Sequence, residues 1–182
     1  MNTGLISTRY AASLLDYAIA SGQEKEVYAN MKLLSEMFPA FPKLRNSIAN
    51  PGLSILNKKE IITTACGGTI PSSFARMLDI ILKNERETLL QYIALRYIEL
   101  YREKFNIQYG KLVTAFTIDE TKEQQLKARI QKITGSELEI ESVVDTDIIG
   151  GFILNLGDYR WDASVLGELT RIRNRFNKLQ EK

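Results

Sequence analysis

Near residue 105 the hydrophobic period of the chain changes, and this limits it to two kinds of structure joined end to end. Before that point apolar residues recur every three to four positions, the spacing that lines one face of an α-helix. Tyr10, Leu14 and Tyr17, beside Ala11, Leu15 and Ala18, make the first stripe, which Gly22 ends. Val27, Met31, Leu34 and Phe38 make the second, closed by Pro39. A short segment from Pro42 to Ala49 stops at Asn50-Pro51, because a residue before proline avoids helical geometry. Lys58 to Cys66 is a further short helix ended by Gly67-Gly68. Pro71 suits the first turn of the next helix, which carries Phe74, Met77, Leu78 and Ile81. A break at Asn84-Glu85-Arg86 precedes the last helix, with Leu90, Ile93, Tyr97, Tyr101 and Phe105. The expectation is an all-α six-helix bundle over residues 1–105.

After Asn106 the pattern becomes that of an α+β unit, expected over residues 106–182. Leu112 to Ile118 is rich in β-branched and aromatic residues, as a strand is. A helix is expected from Asp119, with Leu126, Ile130 and Ile133 as its buried stripe and Gly135 at its end. Glu137 to Ser142 alternates strictly, Leu138 and Ile140 on one face and three glutamates on the other, which predicts a half-buried strand. Phe152, Leu154 and Leu156 share a face of the next strand, Gly157-Asp158 makes a tight hairpin turn, and Tyr159 to Trp161 returns. Asp162 or Ser164 caps a final helix carrying Val165, Leu169, Ile172, Phe176 and Leu179, of which the first three are expected to pack on the sheet and the last two to lie beyond its end.

Composition argues against several functions without excluding catalysis by carboxylates or lysine. The chain of 182 residues contains no histidine, so the commonest general base at neutral pH and the commonest metal ligand are both missing. One cysteine, Cys66, forbids an internal disulfide, as fits a reducing compartment. The opening Met1-Asn2-Thr3-Gly4 lacks the basic and apolar regions of a signal peptide, and no apolar run approaches the ~20 residues of a membrane span, so a cytoplasmic protein without direct membrane insertion is expected. Charge is balanced: 13 Lys and Arg stand against 10 Asp and Glu through residue 105, and 11 against 12 after it. Neither half has the strong basic field of a nucleic-acid binder.

The stretch "IGGFILNLGDYRWDASV", Ile149 to Val165, has the glycines of a phosphate-cradling loop but not their spacing. A P-loop needs Gly-x4-Gly-Lys-Ser/Thr; Gly110-Lys111 is followed by Leu112 and has no glycine five residues before it. Gly150-Gly151 precedes a strand, whereas a dinucleotide fingerprint follows one and opens a helix. A bulge or a close backbone approach explains the pair more simply. Cys66, with no histidine to activate it, reads as a small buried hydrophobe rather than a nucleophile. Asp145 and Asp147 read as solvated turn carboxylates rather than metal ligands. Arg171, Arg173, Arg175 and Lys178 could follow nucleic-acid phosphates, meet an acidic partner helix, or form a solvated face.

"IIGGFILNLGDYRWDASVLGEL" resembles the C-terminal signature of the F-type ATP synthase delta subunit family, which includes the mitochondrial oligomycin-sensitivity protein. Ile149, Gly150, Gly151, Gly157, Asp158, Asp162, Ser164, Val165 and Leu169 fit its pattern. "RYAASLLDYA" resembles the family's opening helix at Tyr10, Ala11, Leu14 and Ala18, and "ILKNER" its Asn-x-Arg turn at Asn84 and Arg86. The departures, Trp161 for an aliphatic residue and Leu166-Gly167 for Arg-Gly, concern local surface contacts. The resemblance implies a non-catalytic stator subunit without cofactor or metal, on the cytoplasmic side of the bacterial membrane through its complex. Its N-terminal bundle would bind the N-terminal helices of alpha subunits, through a groove lined by Tyr10, Ala11, Leu14, Met77, Ile80 and Ile81. Its C-terminal domain would bind the far end of the b subunits, through Arg171, Arg175, Phe176 and Leu179. Gly150, Gly151, Gly157, Asp158, Asp162 and Ser164 would form a structural signature. The alternative is a nucleic-acid-binding adaptor using the C-terminal basic helix.

Overall fold

A computed structural model of the chain describes residues 3–117, 119, 121, 124, 125, 128, 131, 135 and 137–180, with side chains through residue 177. The described chain is mostly helical, with seven α-helices and one four-stranded sheet, and it divides into two compact units, residues 1–104 and 105–182.

The first unit contains α1 (Thr3–Ala20), α2 (Glu24–Ala40), α3 (Lys43–Ala49), α4 (Ile55–Ala65), α5 (Ser72–Lys83) and α6 (Leu90–Phe105). Its core is the set of stripes read from the sequence: Leu14, Met31, Leu34, Phe74, Leu78, Ile81, Ile93 and Tyr97 are fully buried. Glycine ends two of the helices for a stated reason. Gly22 has φ +66°, and the next N–H, of Gln23, reaches back to the Ala18 carbonyl (2.9 Å), a left-handed turn that satisfies an orphan helix acceptor. Gly67 and Gly68 close α4 in the same way.

Two boundaries differ from expectation. The helix α2 continues through Pro39, because a proline this close to the C-terminus removes only one backbone bond and Phe41 still donates to the Met37 carbonyl (2.9 Å). The helix α4 starts three residues before Lys58, where Ser54 accepts the Asn57 N–H as an N-cap. Polar side chains then tie the loops to the core. Asn30 donates to the carbonyls of Cys66 (2.8 Å) and Thr69 (3.1 Å), holding the connection between α4 and α5. Lys58 pairs with Glu87, both nearly buried, and joins α4 to the 3-10 turn Glu87–Leu89 ahead of α6.

The second unit is built on a sheet of β1 (Ile107–Thr114), β2 (Glu137–Val144), β3 (Gly151–Leu156) and β4 (Tyr159–Ser164), in the order β2-β1-β3-β4. β1 and β2 are parallel; β1–β3 and β3–β4 are antiparallel. β1 lies earlier than the expected Leu112–Ile118. Its pairing with β2 begins at Ile107 and ends at Thr114, whose hydroxyl turns back to donate to the Phe116 carbonyl (2.8 Å). Register puts Leu112, Leu138 and Leu154 together on one face, with Ile140, Phe152 and Leu156 around them; Ala115, Ile148 and Ile153 cluster elsewhere with Val113. The expected alternation of Leu138 and Ile140 against the glutamates is thus observed. Gly135, with φ +67° and its N–H on the Gln131 carbonyl, has the geometry of a helix end, but the stripe Leu126, Ile130 and Ile133 lies outside the described residues. The last helix is α7 (Val165–Gln180).

Removing one member of the Lys58–Glu87 pair leaves the other charge buried without its partner. Glu87→Ala should therefore cost about 3–5 kcal/mol of stability, while the double variant Lys58→Met with Glu87→Leu should recover most of it. Equilibrium urea unfolding of the full chain, followed by the helical circular dichroism signal, measures both.

Candidate interaction surfaces

The signature of the C-terminal half forms a corner between sheet and helix. Gly151 has φ +74°, and a Cβ there would lie 2.1 Å from the Ala163 carbonyl oxygen on β4. No other residue fits that approach of two backbones. A Cβ at Gly150 would come within 3.0 Å of the Val165 side chain, and the Gly150 carbonyl accepts the Val165 N–H (3.0 Å). The hairpin turn has positive φ at Gly157 and not at Asp158, the pattern of a turn with glycine at its first central position. Ser164 caps α7: its hydroxyl accepts the Gly167 N–H (3.0 Å). That hydroxyl donates to Asp162 (2.6 Å), whose carboxylate also accepts the Ser164 N–H (3.1 Å). Both residues proposed as the cap act together, Ser164 directly and Asp162 by orienting it. Gly167 belongs to the same corner: a Cβ there would lie 2.8 Å from the Asp162 carboxylate. These residues hold geometry and leave no chemistry to perform.

The corner starts a helix whose apolar stripe is not covered. Val165, Leu169 and Ile172 were expected to pack on the sheet, but they are 43–51% exposed, Leu166 is 44% exposed and Phe176 64%. The reason is position. Among the described residues α7 packs mainly along β4, the edge strand of the sheet, and along the 3-10 turn Thr146–Ile148, whose Ile148 packs with Ala115 and Ile153. Arg175 is exposed beside Phe176; the Leu179 side chain lies outside the described residues. Arg171 is occupied within the unit, donating to the Asp162 carbonyl (2.9 Å) and pairing with Glu168 (3.1 Å).

In the first unit, α1 and α5 pack together. Arg76 donates to the Tyr17 hydroxyl (2.6 Å), and Asn84 (3.3 Å) and Arg86 (3.1 Å) donate to the Tyr10 hydroxyl. Each guanidinium also stands about over its tyrosine ring, 6.0 and 5.7 Å from the centroid. Tyr17 beside Arg76 and Tyr10 beside Asn84 make the helices antiparallel, with Ile80 on α5 between the two contacts. Of the six residues assigned to a groove here, Ala11, Leu14 and Ile81 are buried in the core, Tyr10 and Met77 are half-buried, and Ile80 is 49% exposed. Tyr10, Met77 and Ile80 are therefore the three with accessible surface; the other three support them from inside. A bundle core and a groove have the same sequence period, which is why the residues could not be separated by spacing.

The remaining candidates are inert. Cys66 is buried and free, and burial pushes its thiol up to about 12, so it carries no thiolate at neutral pH. Asp145 accepts the Asp147 N–H (3.0 Å), a turn contact. No group of His, Cys, Asp or Glu among the described residues could hold a metal, and none of the described helices is long and apolar enough to cross a membrane.

Fold and surfaces together define an all-α unit followed by an α+β unit, each with large apolar side chains exposed. A family model described as "ATP synthase delta (OSCP) subunit" matches residues 6–176, and the chain belongs to that family. It is a non-catalytic stator subunit of the F-type ATP synthase, fitting a place in the peripheral stalk, and it assembles with other subunits of that complex. The ATP synthase subunits delta of Bacteroides thetaiotaomicron and Parabacteroides distasonis are each 38% identical, over 97% and 95% of this chain and 96% of each relative. That of Prochlorococcus marinus is 29% identical over 92% of both chains. A chain in the structure of the Toxoplasma gondii mitochondrial ATP synthase hexamer shares the fold, with TM-score 0.66 and 17% identity over 93% of this chain and 96% of that one.

Asp162 makes the corner sensitive to acid. The Ser164 hydroxyl and N–H, with a smaller contribution from Arg160, hold its carboxyl below the usual range. A group whose folded pKa is depressed contributes stability that is complete above its unfolded value, about 3.9, and lost as pH falls through the folded one. Hydrogen exchange at the first turn of α7 should accelerate below about pH 4 relative to its rate at pH 6, after correction for intrinsic exchange, and Asp162→Asn should flatten that dependence.

Proposed function

We propose that the first unit holds the catalytic head by binding the N-terminal helices of alpha subunits in the α1–α5 groove, and that the second binds the C-terminal end of b subunits through α7. The complex would then keep this chain on the cytoplasmic face of the bacterial membrane without insertion of its own. The observation that carries this reading is the uncovered stripe of α7: Val165, Leu166, Leu169, Ile172 and Phe176 along three turns of one amphipathic helix. Scattered apolar residues on a surface are ordinary, but a contiguous stripe marks an interface. An amphipathic helix laid along it would bury the stripe, with Arg175 available to orient an acidic partner. At the other end, Ile80 between two arginine–tyrosine pairs offers the same kind of seat.

This mechanism is adhesion. Torque between head and stalk is resisted by two docked surfaces, and the tightly packed corner at Gly151 and Ser164 keeps α7 from swinging on its own sheet.

Burying one large apolar side chain is worth about 1.5–3 kcal/mol, so one charge placed in either surface should weaken it at least about tenfold. Ile80→Asp should impair binding of an alpha N-terminal peptide and leave b-subunit binding unchanged. Leu169→Asp with Ile172→Asp should do the reverse. Both sets of positions are exposed, so circular dichroism should stay native. Calorimetric titration against the two ligands separates the outcomes, and native affinity in either variant for the ligand it should lose would refute that half of the reading.

A further inference from the structure

The groove carries two cations that the chain itself does not neutralise. Arg76 is exposed and Arg86 half-buried, and among the described residues neither pairs with a carboxylate, whereas Lys58, Lys59, Arg96, Arg160 and Arg171 all do. Each is instead aimed by a tyrosine. A hydroxyl is a neutral acceptor, so it fixes the guanidinium without cancelling its charge, and most of the five N–H donors remain free. The aim of Arg86 is fixed by its backbone as well. Its N–H closes the end of α5 on the Ile81 carbonyl (3.0 Å), one residue after Glu85, which takes a left-handed φ of +54° that a side chain normally avoids. The other charges nearby do not change the sign. Asp79 is held by Lys59 (2.6 Å) and Glu87 by Lys58, and among the described residues no ion pair joins Asp16 or Glu85 to either arginine.

Their spacing is set by the tyrosines. Tyr10 and Tyr17 are seven residues apart on α1, or about 10.5 Å along the axis, with Ile80 between them. We infer that this groove selects an amphipathic helix bearing two carboxylates two turns apart, at i and i+7, with an apolar residue at i+3 or i+4 seated on Ile80. The apolar contact supplies affinity; the paired charges fix where along the groove, and in which rotation, the helix sits. The inference rests on the groove reading above and adds the charge pattern of its occupant.

The test uses the full chain and two synthetic amphipathic helical peptides with one apolar face, the first with Glu at i and i+7 and the second with Gln at both. The native chain should prefer the Glu peptide about tenfold at low salt, with the preference shrinking as salt rises. Arg76→Gln and Arg86→Gln, which keep a donor for the tyrosine but lose the charge, should each reduce Glu-peptide affinity about three- to fivefold and leave Gln-peptide affinity unchanged. Arg86→Lys should recover part of the loss. Ile80→Asp is run alongside and should weaken both peptides. Equal affinity of the native chain for the two peptides, with both weakened by Ile80→Asp, would overturn the charge pattern while leaving the groove in place. Binding of neither peptide, or of both regardless of Ile80→Asp, would overturn the groove itself. The comparison of the two peptides on the native chain needs no variant, so it decides the question even if an arginine variant fails to fold.

Discussion

One backbone contact governs the second unit: at Gly151 the β3 chain passes so close to the Ala163 carbonyl that a Cβ would lie 2.1 Å from it. That approach brings the end of β4 against Gly150, whose carbonyl receives the Val165 N–H, and so sets where α7 begins. Asp162, Ser164 and Gly167 then fix its first turn. The direction of a 16-residue helix is decided by five residues, and everything the helix presents to a partner follows from that corner.

The first unit solves a different problem with the same economy of parts. Its core is complete: Leu14, Leu78 and Ile81 sit inside without exposure. The seam between α1 and α5 can therefore be specialised for binding without loss of fold, because the residues at its lip are not those that hold the bundle together. Tyrosine suits such a lip. Its ring packs on the protein and its hydroxyl positions an arginine. The family's Asn-x-Arg turn acquires a physical meaning here, since Asn84 and Arg86 both donate to Tyr10.

The sequence exposed the secondary structure well where period and punctuation agreed. The stripes of α1, α5 and α6, the turns at Gly22 and Gly67, and the β3–β4 hairpin all stand where spacing placed them. It did less well where a long-range contact decides. β1 begins at Ile107 because β2 pairs with it there, and nothing local in Ile107-Gln108-Tyr109-Gly110 declares a strand. The stripe of α7 was misread for a related reason. A helix period shows that Val165, Leu169 and Ile172 share a face, not whether the same chain covers that face. The need for glycine at Gly167 is not legible locally, because it comes from Asp162, five residues away through a folded corner. The buried Ala11, Leu14 and Ile81 were placed in a groove because core and groove positions recur at one interval.

The central claim is that this chain works by covering two separate surfaces and performs no chemistry. Hydrogen–deuterium exchange of the chain, free and assembled in its ATP synthase, tests this most directly, because docking suppresses the local openings through which amides exchange. The account predicts new protection on assembly in two places, the facing turns of α1 and α5 around Tyr10 and Ile80 and the turns of α7 from Val165 to Phe176. Unchanged exchange in both, with protection appearing on other elements, would contradict it.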